Sequence, residues 1–387
     1  MFKILHFSDS HLGLRQYSMP GRLVDFASSL DEVLEVAIAN EVDLVVDTGD
    51  TFDSPDPGPY SVRAFRRFVA ALDRHQIAFL GINGNHNSHS ESALFQEGNW
   101  MDAVSDTVIR PRDPSKPITV RSLRDPSKAI TVVCSDWMPR DKIPAFLSEI
   151  PVVVDAIFLH QSCDGFMPTI GRPEMTPSMI DGKARYAGIG DIHVTKKIEG
   201  ELGTVIGSAG STEMTKANEP VEKFVILVSI DESNPSARVV WDPVRINTRG
   251  IINFPCITLE HQIETLRSRI SQALEYCGPK KPMVVCSFVR SLAPRMAEFQ
   301  KTLAEMGIEM TRFSPEPDVV ASEIIVQERA ERSTSMGEVL AEIIPDPTAM
   351  NLALALWHNP LAAEATIESF KQTILSKHLN ENHASQA

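Results

Sequence analysis

Short apolar runs alternate with amphipathic segments from residue 1 to about residue 245. The run at 2–7 predicts a strand, and Phe26 and Leu30 begin a helical repeat of apolar residues that precedes a second apolar run at 42–46. A further helix is predicted at 62–76, and further strands at 77–82, 130–134, 152–159, 186–189, 204–206, 224–230 and 238–241. This alternation is typical of an α/β fold rather than of a helical bundle.

The pattern changes near residue 246. A helix at 262–276, a strand at 283–289, a second helix at 294–306 and a strand at 308–313 predict a small α/β module. Apolar residues at helical spacing then predict a helical tail. We therefore expect four segments: a main domain at 1–245, the small module at 246–326, a helical segment at 327–379 and a disordered tail at 380–387.

Charge and composition narrow the class of protein. The 387-residue chain carries 37 basic and 51 acidic residues, a formal net charge of −14. This balance argues against a general nucleic-acid binder, so any DNA contact must use local basic patches, a divalent metal or a partner. No apolar run reaches the roughly 18 residues of a transmembrane helix, and the N-terminal sequence MFKILHFSDSH lacks the pattern of a signal peptide. We therefore expect a cytoplasmic protein.

Side chains that can bind metal follow five of the predicted strands. They are Asp9 and His11, Asp50, Asn85 and His86, His160, and Asp191 and His193. In α/β sheets the carboxyl ends of the strands meet at one crevice, so these segments can converge without distorting a sheet. Carboxylate, imidazole and amide ligands suit Mn²⁺, Fe²⁺ or Zn²⁺. Two such ions about 3.5 to 4 Å apart can activate a water and clamp a phosphoryl group, so the pattern indicates phosphoester hydrolysis.

Four short motifs resemble those of a known family. DSHLG at Asp9, GDTFD at Gly49, GNHN at Gly84 and GDIH at Gly190, together with His160, resemble the successive motifs of the calcineurin-like metallophosphoesterases over roughly residues 1–215. Within that superfamily the chain is most similar to the nuclease subunit (SbcD type) of the SbcCD DNA-repair complex, phage-encoded relatives included. The resemblance implies a four-layer α/β/β/α sandwich and a small capping, DNA-binding domain. It also implies a homodimer whose C-terminal helices dock on the coiled-coil base of an SbcC-type ATPase.

The same resemblance divides the ligands between two ions. The first ion would be held by Asp9, His11, Asp50 and His193, and the second by Asp50, Asn85, His160 and Asp191. His86 would face the scissile phosphate without binding metal, and would stabilise the transition state or protonate the leaving oxygen. Asp53 would orient the ring of His86 and favour its protonated form.

Two positions depart from the family pattern. Asn87 stands where relatives have aspartate in GNHD, and Asp191 stands where they have the first histidine of GHxH. Asn87 can still form hydrogen bonds within its loop. Asp191 adds negative charge and favours harder ions, so we expect two divalent ions with Mn²⁺ or Mg²⁺ preferred and Fe²⁺ or Zn²⁺ as alternatives. A weakened second site, or a single-metal site, stays open.

Basic residues near the motifs are candidates for DNA contact. Arg63, Arg66 and Arg67 share one face of the helix at 62–76, and Lys196 and Lys197 lie just after His193. A solvated helix face is the alternative for the arginines. We predict that all five residues contact DNA phosphates.

Three functions follow from these observations. The first is a Mn²⁺-dependent DNA exonuclease and endonuclease subunit that acts with an SbcC-type ATPase in DNA repair, recombination or replication. Because the chain has no GxxxxGK[ST] motif, ATP dependence would come from that partner. The second is a phosphodiesterase or phosphatase of small nucleotides, and the third is a catalytically decayed scaffold of the same fold.

Overall fold

The computed structural model describes most of the first 312 residues. The described ranges are 1–86, 101, 104–110, 113–150, 153–166, 173–234, 236–276 and 280–312. Asn87 and the predicted segments at 327–379 and 380–387 lie outside these ranges. Within them, every helix is too short or too polar to span a lipid bilayer.

One six-stranded sheet contains the N-terminal strand. Its members are β1 (Phe2–Phe7), β2 (Leu44–Asp47), β3 (Ala78–Gly81), β4 (Val108–Ile109), β11 (Lys223–Ile230) and β12 (Val240–Ile246). The order across the sheet is β12-β11-β1-β2-β3-β4. Strands β1 to β4 are mutually parallel, whereas β11 is antiparallel to β1 and β12 is antiparallel to β11. The carboxyl ends of β1, β2 and β3 therefore lie at one edge.

The second six-stranded sheet also contains four parallel strands. Its members are β5 (Ile118–Arg121), β6 (Ala129–Ser135), β7 (Val154–His160), β8 (Ala184–Gly190), β9 (Lys196–Glu199) and β10 (Val205–Ser208). In the order β5-β6-β7-β8-β10-β9, the four central strands are parallel and the two outer strands are antiparallel to them. The ends of β7 and β8 therefore also lie together.

Helices cover the outer faces of both sheets. They are α1 (Pro20–Ala39) and α2 (Pro59–Arg74) on the first sheet, and α3 (Ile143–Glu149) and α4 (Pro177–Ile180) on the second. Proline near the first position of each of α1 and α2 suits a helix start, where its missing N–H has no intrahelical partner. Between the sheets lies a third apolar cluster, to which Ile4 and Val46 contribute from one sheet and Phe158 and Tyr186 from the other. The expected four-layer α/β/β/α sandwich is confirmed.

A smaller sheet follows in the chain. It consists of β13 (Ile251–Ile257), β14 (Met283–Phe288) and β15 (Met310–Arg312), in that order. The helices α5 (Glu260–Tyr276) and α6 (Ala293–Glu305) alternate with these strands along the chain. The two helices, β14 and β15 agree with the predicted pattern, whereas β13 is absent from the prediction.

Among the described residues there are two compact units. The first takes those up to Phe254 together with Thr265–Val285 and Lys301–Thr311, and the second takes Pro255–Glu264, Cys286–Gln300 and Arg312. Both six-stranded sheets lie in the first unit. The domain boundary at 245 stays a prediction.

The differences from the expected elements have simple causes. The strand predicted at 238–241 begins at Val240 and extends to Ile246, because its solvent-facing residues break the apolar run without breaking the backbone pairing with β11. Strands β4 and β9 are absent from the prediction. The first has two residues, and the second reads KKIE and lies at a sheet edge, where charged side chains are tolerated.

A buried ion cluster stabilises the start of α1. The guanidinium of Arg22, which is 1% exposed, donates hydrogen bonds to Gln16, to Asp25 at 2.8 Å and to the backbone oxygen of Met214. The carboxylate of Glu213 lies 3.5 Å from the same guanidinium. These contacts join the start of α1 to the loop that follows β10.

Arg22→Met is expected to lower the free energy of unfolding by about 3–5 kcal/mol, because it leaves the buried Asp25 and Glu213 with one fewer cation. The matched control is Arg67→Met, which removes an exposed ion pair with Asp31 and should cost about 0–1 kcal/mol. Urea titration of the three proteins measures both values. Equal losses in the two variants would contradict the role given to the cluster.

Candidate metal centre

The loops that follow β1 and β2 run side by side. The backbone N–H of Asp9 donates to the carbonyl of Gly49, and that of His11 donates to the carbonyl of Asp50, each at 2.9 Å. The parallel pairing of the two strands therefore continues past their ends. It places the first two sequence motifs in direct contact.

Four predicted ligands share an unusual backbone conformation. Asp9, His11, Asp50 and Asp191 have φ values of 53°, 40°, 51° and 71°. Residues other than glycine seldom adopt this left-handed region, and such strain concentrates at functional sites that the surrounding fold holds in place. The turns after β1, β2 and β8 use this conformation at the residues that carry the ligands.

Glycine is required where two of these loops meet. A Cβ on Gly84 would collide with the carboxylate of Asp50, and a Cβ on Gly190 would collide with the backbone oxygen of Thr48 and the ring of His160. The glycines of the GNHN and GDIH motifs therefore allow the loops to approach the ligands closely.

The first group of ligands contains Asp9, His11 and His193. The Nε2 atoms of the two imidazoles lie 3.3 Å apart, and Nε2 of His193 lies 3.6 Å from a carboxylate oxygen of Asp9. Asp9 is fully buried, and within the described residues neither of its carboxylate oxygens accepts a hydrogen bond. An unsatisfied buried carboxylate that faces two imidazole nitrogens fits a divalent cation.

The second group surrounds His160. Its Nε2 lies 3.1 Å from Oδ1 of Asn85, 3.4 Å from Oδ2 of Asp50 and 4.0 Å from Oδ1 of Asp191. Its Nδ1 is 2.7 Å from the backbone oxygen of Thr48, to which it donates a hydrogen bond. This bond turns Nε2 toward the oxygen ligands.

Asp50 lies between the two groups. Its Oδ2 is 3.4 Å from Nε2 of His160 and 3.9 Å from Nε2 of His11. Its Oδ1 accepts a hydrogen bond from the backbone N–H of His86 at 3.0 Å. All seven predicted metal ligands are thus brought together, and Asp50 is placed where a carboxylate could serve both groups.

The electrostatics of the site balance buried carboxylates against imidazoles. Burial alone would lower the pKa of His160, yet Asp50 and Asp9 raise it to about 10. Burial would likewise lower the pKa of His193, but Asp9 and Glu219 raise it to about 9. Burial would raise the pKa of Asp9, and the neighbouring imidazoles hold it well below its usual range. Protons and divalent cations therefore compete for the same nitrogen atoms.

Asp191 differs from the other carboxylates. It is partly exposed, and burial raises its pKa to about 6. Its oxygen lies beside His160, farther from that imidazole than those of Asn85 and Asp50. Its role as a metal ligand stays a prediction.

His86 and Asp53 lie at the exposed rim. The ring of His86 is exposed, and its centroid is 5.0 Å from that of His11. Its Nδ1 lies 3.4 Å from the backbone oxygen of Asp53. The carboxylate of Asp53 faces His11 instead, with Oδ1 3.4 Å from Nδ1. The orientation of His86 by the carboxylate of Asp53 stays a prediction.

The candidate DNA contacts have different surroundings. Arg63 and Arg66 are exposed on α2, whereas Arg67 pairs with Asp31. Lys196 donates to the backbone oxygen of Gly165.

Lys197 forms an ion pair with Glu199 at 2.9 Å, and its ammonium lies 5.9 Å from the centroid of the Trp241 ring. Phosphate contact by the three arginines and two lysines stays a prediction.

Sequence reasoning missed Glu219. Its Oε1 lies 2.8 Å from Nδ1 of His193. The residue belongs to no recognised motif and follows His193 by 26 positions, with the strands β9 and β10 between them. Its only sequence signal is proximity to the GSAGSTEM segment that begins at Gly207.

Comparison with known proteins agrees with this geometry. Residues 2–157 match the family described as calcineurin-like phosphoesterase. The chain is 26% identical over 262 residues to the DNA double-strand break repair protein Mre11 of Saccharolobus solfataricus. The aligned residues cover 65% of this chain and 68% of that protein. It is 29% identical over 289 residues to the Mre11 protein of Methanosarcina acetivorans, and the aligned residues cover 70% of this chain and 44% of that protein.

A solved dimetal phosphatase from Danio rerio has a TM-score of 0.37 and 13% identity to the chain, over 63% of this chain and 96% of that chain.

The match at residues 2–157 indicates a domain that resembles the calcineurin-like phosphoesterases. The chain is similar to Mre11 proteins at modest identity, and it spans less than half of the Methanosarcina relative.

Affinity for Mn²⁺ is expected to rise with pH between about pH 6 and about pH 8. His160 and His193, with pKa values of about 10 and about 9, hold protons over this range until a cation displaces them. Each displaced proton changes the affinity by up to about tenfold per pH unit. Calorimetry in buffers of different ionisation enthalpy measures the affinity and the released protons. Binding that is independent of pH and releases no protons would contradict the competition.

Proposed function

We propose that this protein is the nuclease subunit of a DNA-repair complex, an exonuclease and endonuclease that hydrolyses phosphodiester bonds with two divalent ions. The observation that carries the proposal is the pair of ligand groups joined by Asp50, since a shared carboxylate between two clusters suits two-metal phosphoester chemistry. Similarity to Mre11 proteins supports DNA as the substrate. Mn²⁺ is the proposed metal. A cytoplasmic location stays a prediction.

Bound divalent ions would supply a water of lowered pKa and would neutralise the charge of the phosphate. The protein's own residues prepare the site. The backbone N–H of His86 holds Asp50 in place, and the backbone oxygen of Thr48 fixes the ring of His160. Because these groups are set before substrate binds, little reorganisation is needed during the reaction.

His86 is the proposed catalytic residue. Its ring is exposed beside the ligand groups, and its backbone N–H is already committed to Asp50. Because the ring is exposed, the imidazole is accessible to a phosphodiester that reaches the centre. There it would stabilise the developing negative charge or donate a proton to the leaving oxygen.

Two further parts of the proposal rest on the resemblance. An SbcC-type coiled-coil ATPase would bind the helical segment at 327–379, and two copies of the chain would form a dimer within that complex. A gene for a long coiled-coil ATPase directly beside this one would support the partnership.

The test is a nuclease assay in Mn²⁺ with end-labelled linear duplex DNA and supercoiled plasmid. Wild type is expected to cut DNA and to lose activity in EDTA. His86→Gln should lower turnover by at least about hundredfold while Mn²⁺ binding stays nearly unchanged. The control, His75→Gln, changes an exposed histidine at the end of α2 and should behave as wild type.

Each outcome separates the alternatives. Hydrolysis of cyclic dinucleotides or nucleotide monoesters without DNA cleavage would favour the small-nucleotide phosphodiesterase. Complete inertness with all substrates would favour the decayed scaffold. Loss of metal from His86→Gln would refute the role assigned to that ring.

A further inference from the structure

Two of the imidazoles that face the centre, those of His160 and His193, form a hydrogen bond through Nδ1. Nδ1 of His193 lies 2.8 Å from Oε1 of Glu219, and Nδ1 of His160 lies 2.7 Å from the backbone oxygen of Thr48. A group that accepts a hydrogen bond at Nδ1 fixes the tautomer that leaves Nε2 available to a metal. The partner of His193 is a carboxylate, whereas the partner of His160 is a neutral carbonyl.

Glu219 is itself held firmly. The hydroxyl of Thr215 donates to its Oε1 at 2.5 Å and also lies 2.8 Å from Nδ1 of His193. The ammonium of Lys223, which is 1% exposed, donates to its Oε2 at 2.8 Å. Lys223 also donates to Ser211 and to the backbone oxygen of His193. The carboxylate therefore has little freedom to leave the ring.

The ring of His193 needs such support. It belongs to a loop rather than to a strand, and it is more exposed than the fully buried His160. Its Nε2 must nevertheless stay close to His11 and Asp9 to complete the first ligand group. A fixed carboxylate behind the ring supplies this orientation and increases the basicity of the ligand nitrogen.

We propose that Glu219 is a positioning residue, which sets the metal affinity of the first ligand group by orienting His193. The inference rests on the proposed two-metal function and adds a residue outside all of its motifs. Lys223 anchors the other carboxylate oxygen, Oε2.

The experiment measures Mn²⁺ binding to the full chain by calorimetry, and the increase in Tm that Mn²⁺ produces relative to EDTA. Glu219→Ala should weaken Mn²⁺ binding by about tenfold to hundredfold and reduce the increase in Tm. Glu219→Gln keeps a hydrogen-bond acceptor without the charge and should lie between wild type and Glu219→Ala. The control is Glu222→Ala, which removes an exposed carboxylate paired with Arg245 and should bind Mn²⁺ as wild type does.

A double variant separates orientation from folding. Glu219→Ala leaves the buried ammonium of Lys223 without its carboxylate, which destabilises the fold in its own right. Glu219→Ala combined with Lys223→Met removes both charges and should recover stability in EDTA while Mn²⁺ affinity stays low. Recovery of the affinity together with the stability would show that Glu219 acts only through the fold, and would overturn the inference.

Two failures can be told apart. Wild type that does not bind Mn²⁺ would refute the proposed metal centre itself. Wild type that binds Mn²⁺, with a folded Glu219→Ala variant of equal affinity, would leave the proposed function standing and overturn the role of Glu219.

Discussion

Buried negative charge is the constraint on which this site depends. Asp9 and Asp50 are 0% and 1% exposed, and ionised carboxylates so far from water are strongly destabilising unless positive charge lies beside them. The imidazoles of His160 and His193, whose pKa values are raised to about 10 and about 9, supply that charge when protonated. A divalent cation supplies it better, because it contacts several oxygens and nitrogens at once. The arrangement is therefore prepared for metal before any substrate arrives.

Apolar packing of the two sheets offsets the destabilising effect of this buried charge. Two sheets with parallel centres direct the ends of β1, β2, β3, β7 and β8 toward one region, and the apolar layers on both faces of each sheet hold those ends in place. The left-handed backbone at Asp9, His11, Asp50 and Asp191 is tolerated because the adjoining strands are rigid. Core packing thus stabilises both the strained turns and the charges that they carry.

Much of this could be predicted from sequence, because strand ends and ligand types are local features. The run at 2–7 followed by Asp9, and the run at 152–159 followed by His160, show where the ligands emerge. Contacts between loops are not local. The carboxylate of Asp53 lies beside His11, and Glu219 reaches His193 across 26 residues, since both distances depend on how separate loops pack. Short or charged edge strands such as β4 and β9 carry too little apolar pattern to be recognised.

The two ligand groups differ in their donor atoms as well as in the residues that orient their imidazoles. The group with His11 and His193 offers two nitrogens and the carboxylate of Asp9, whereas the group around His160 offers one nitrogen and the oxygens of Asn85 and Asp191. Oxygen-rich sites suit harder cations, and nitrogen-rich sites suit Zn²⁺ and other later divalent metals. Aspartate at position 191 increases this contrast. In the proposed centre the two positions are therefore unequal, and the fixed carboxylate behind His193 strengthens the nitrogen-rich one.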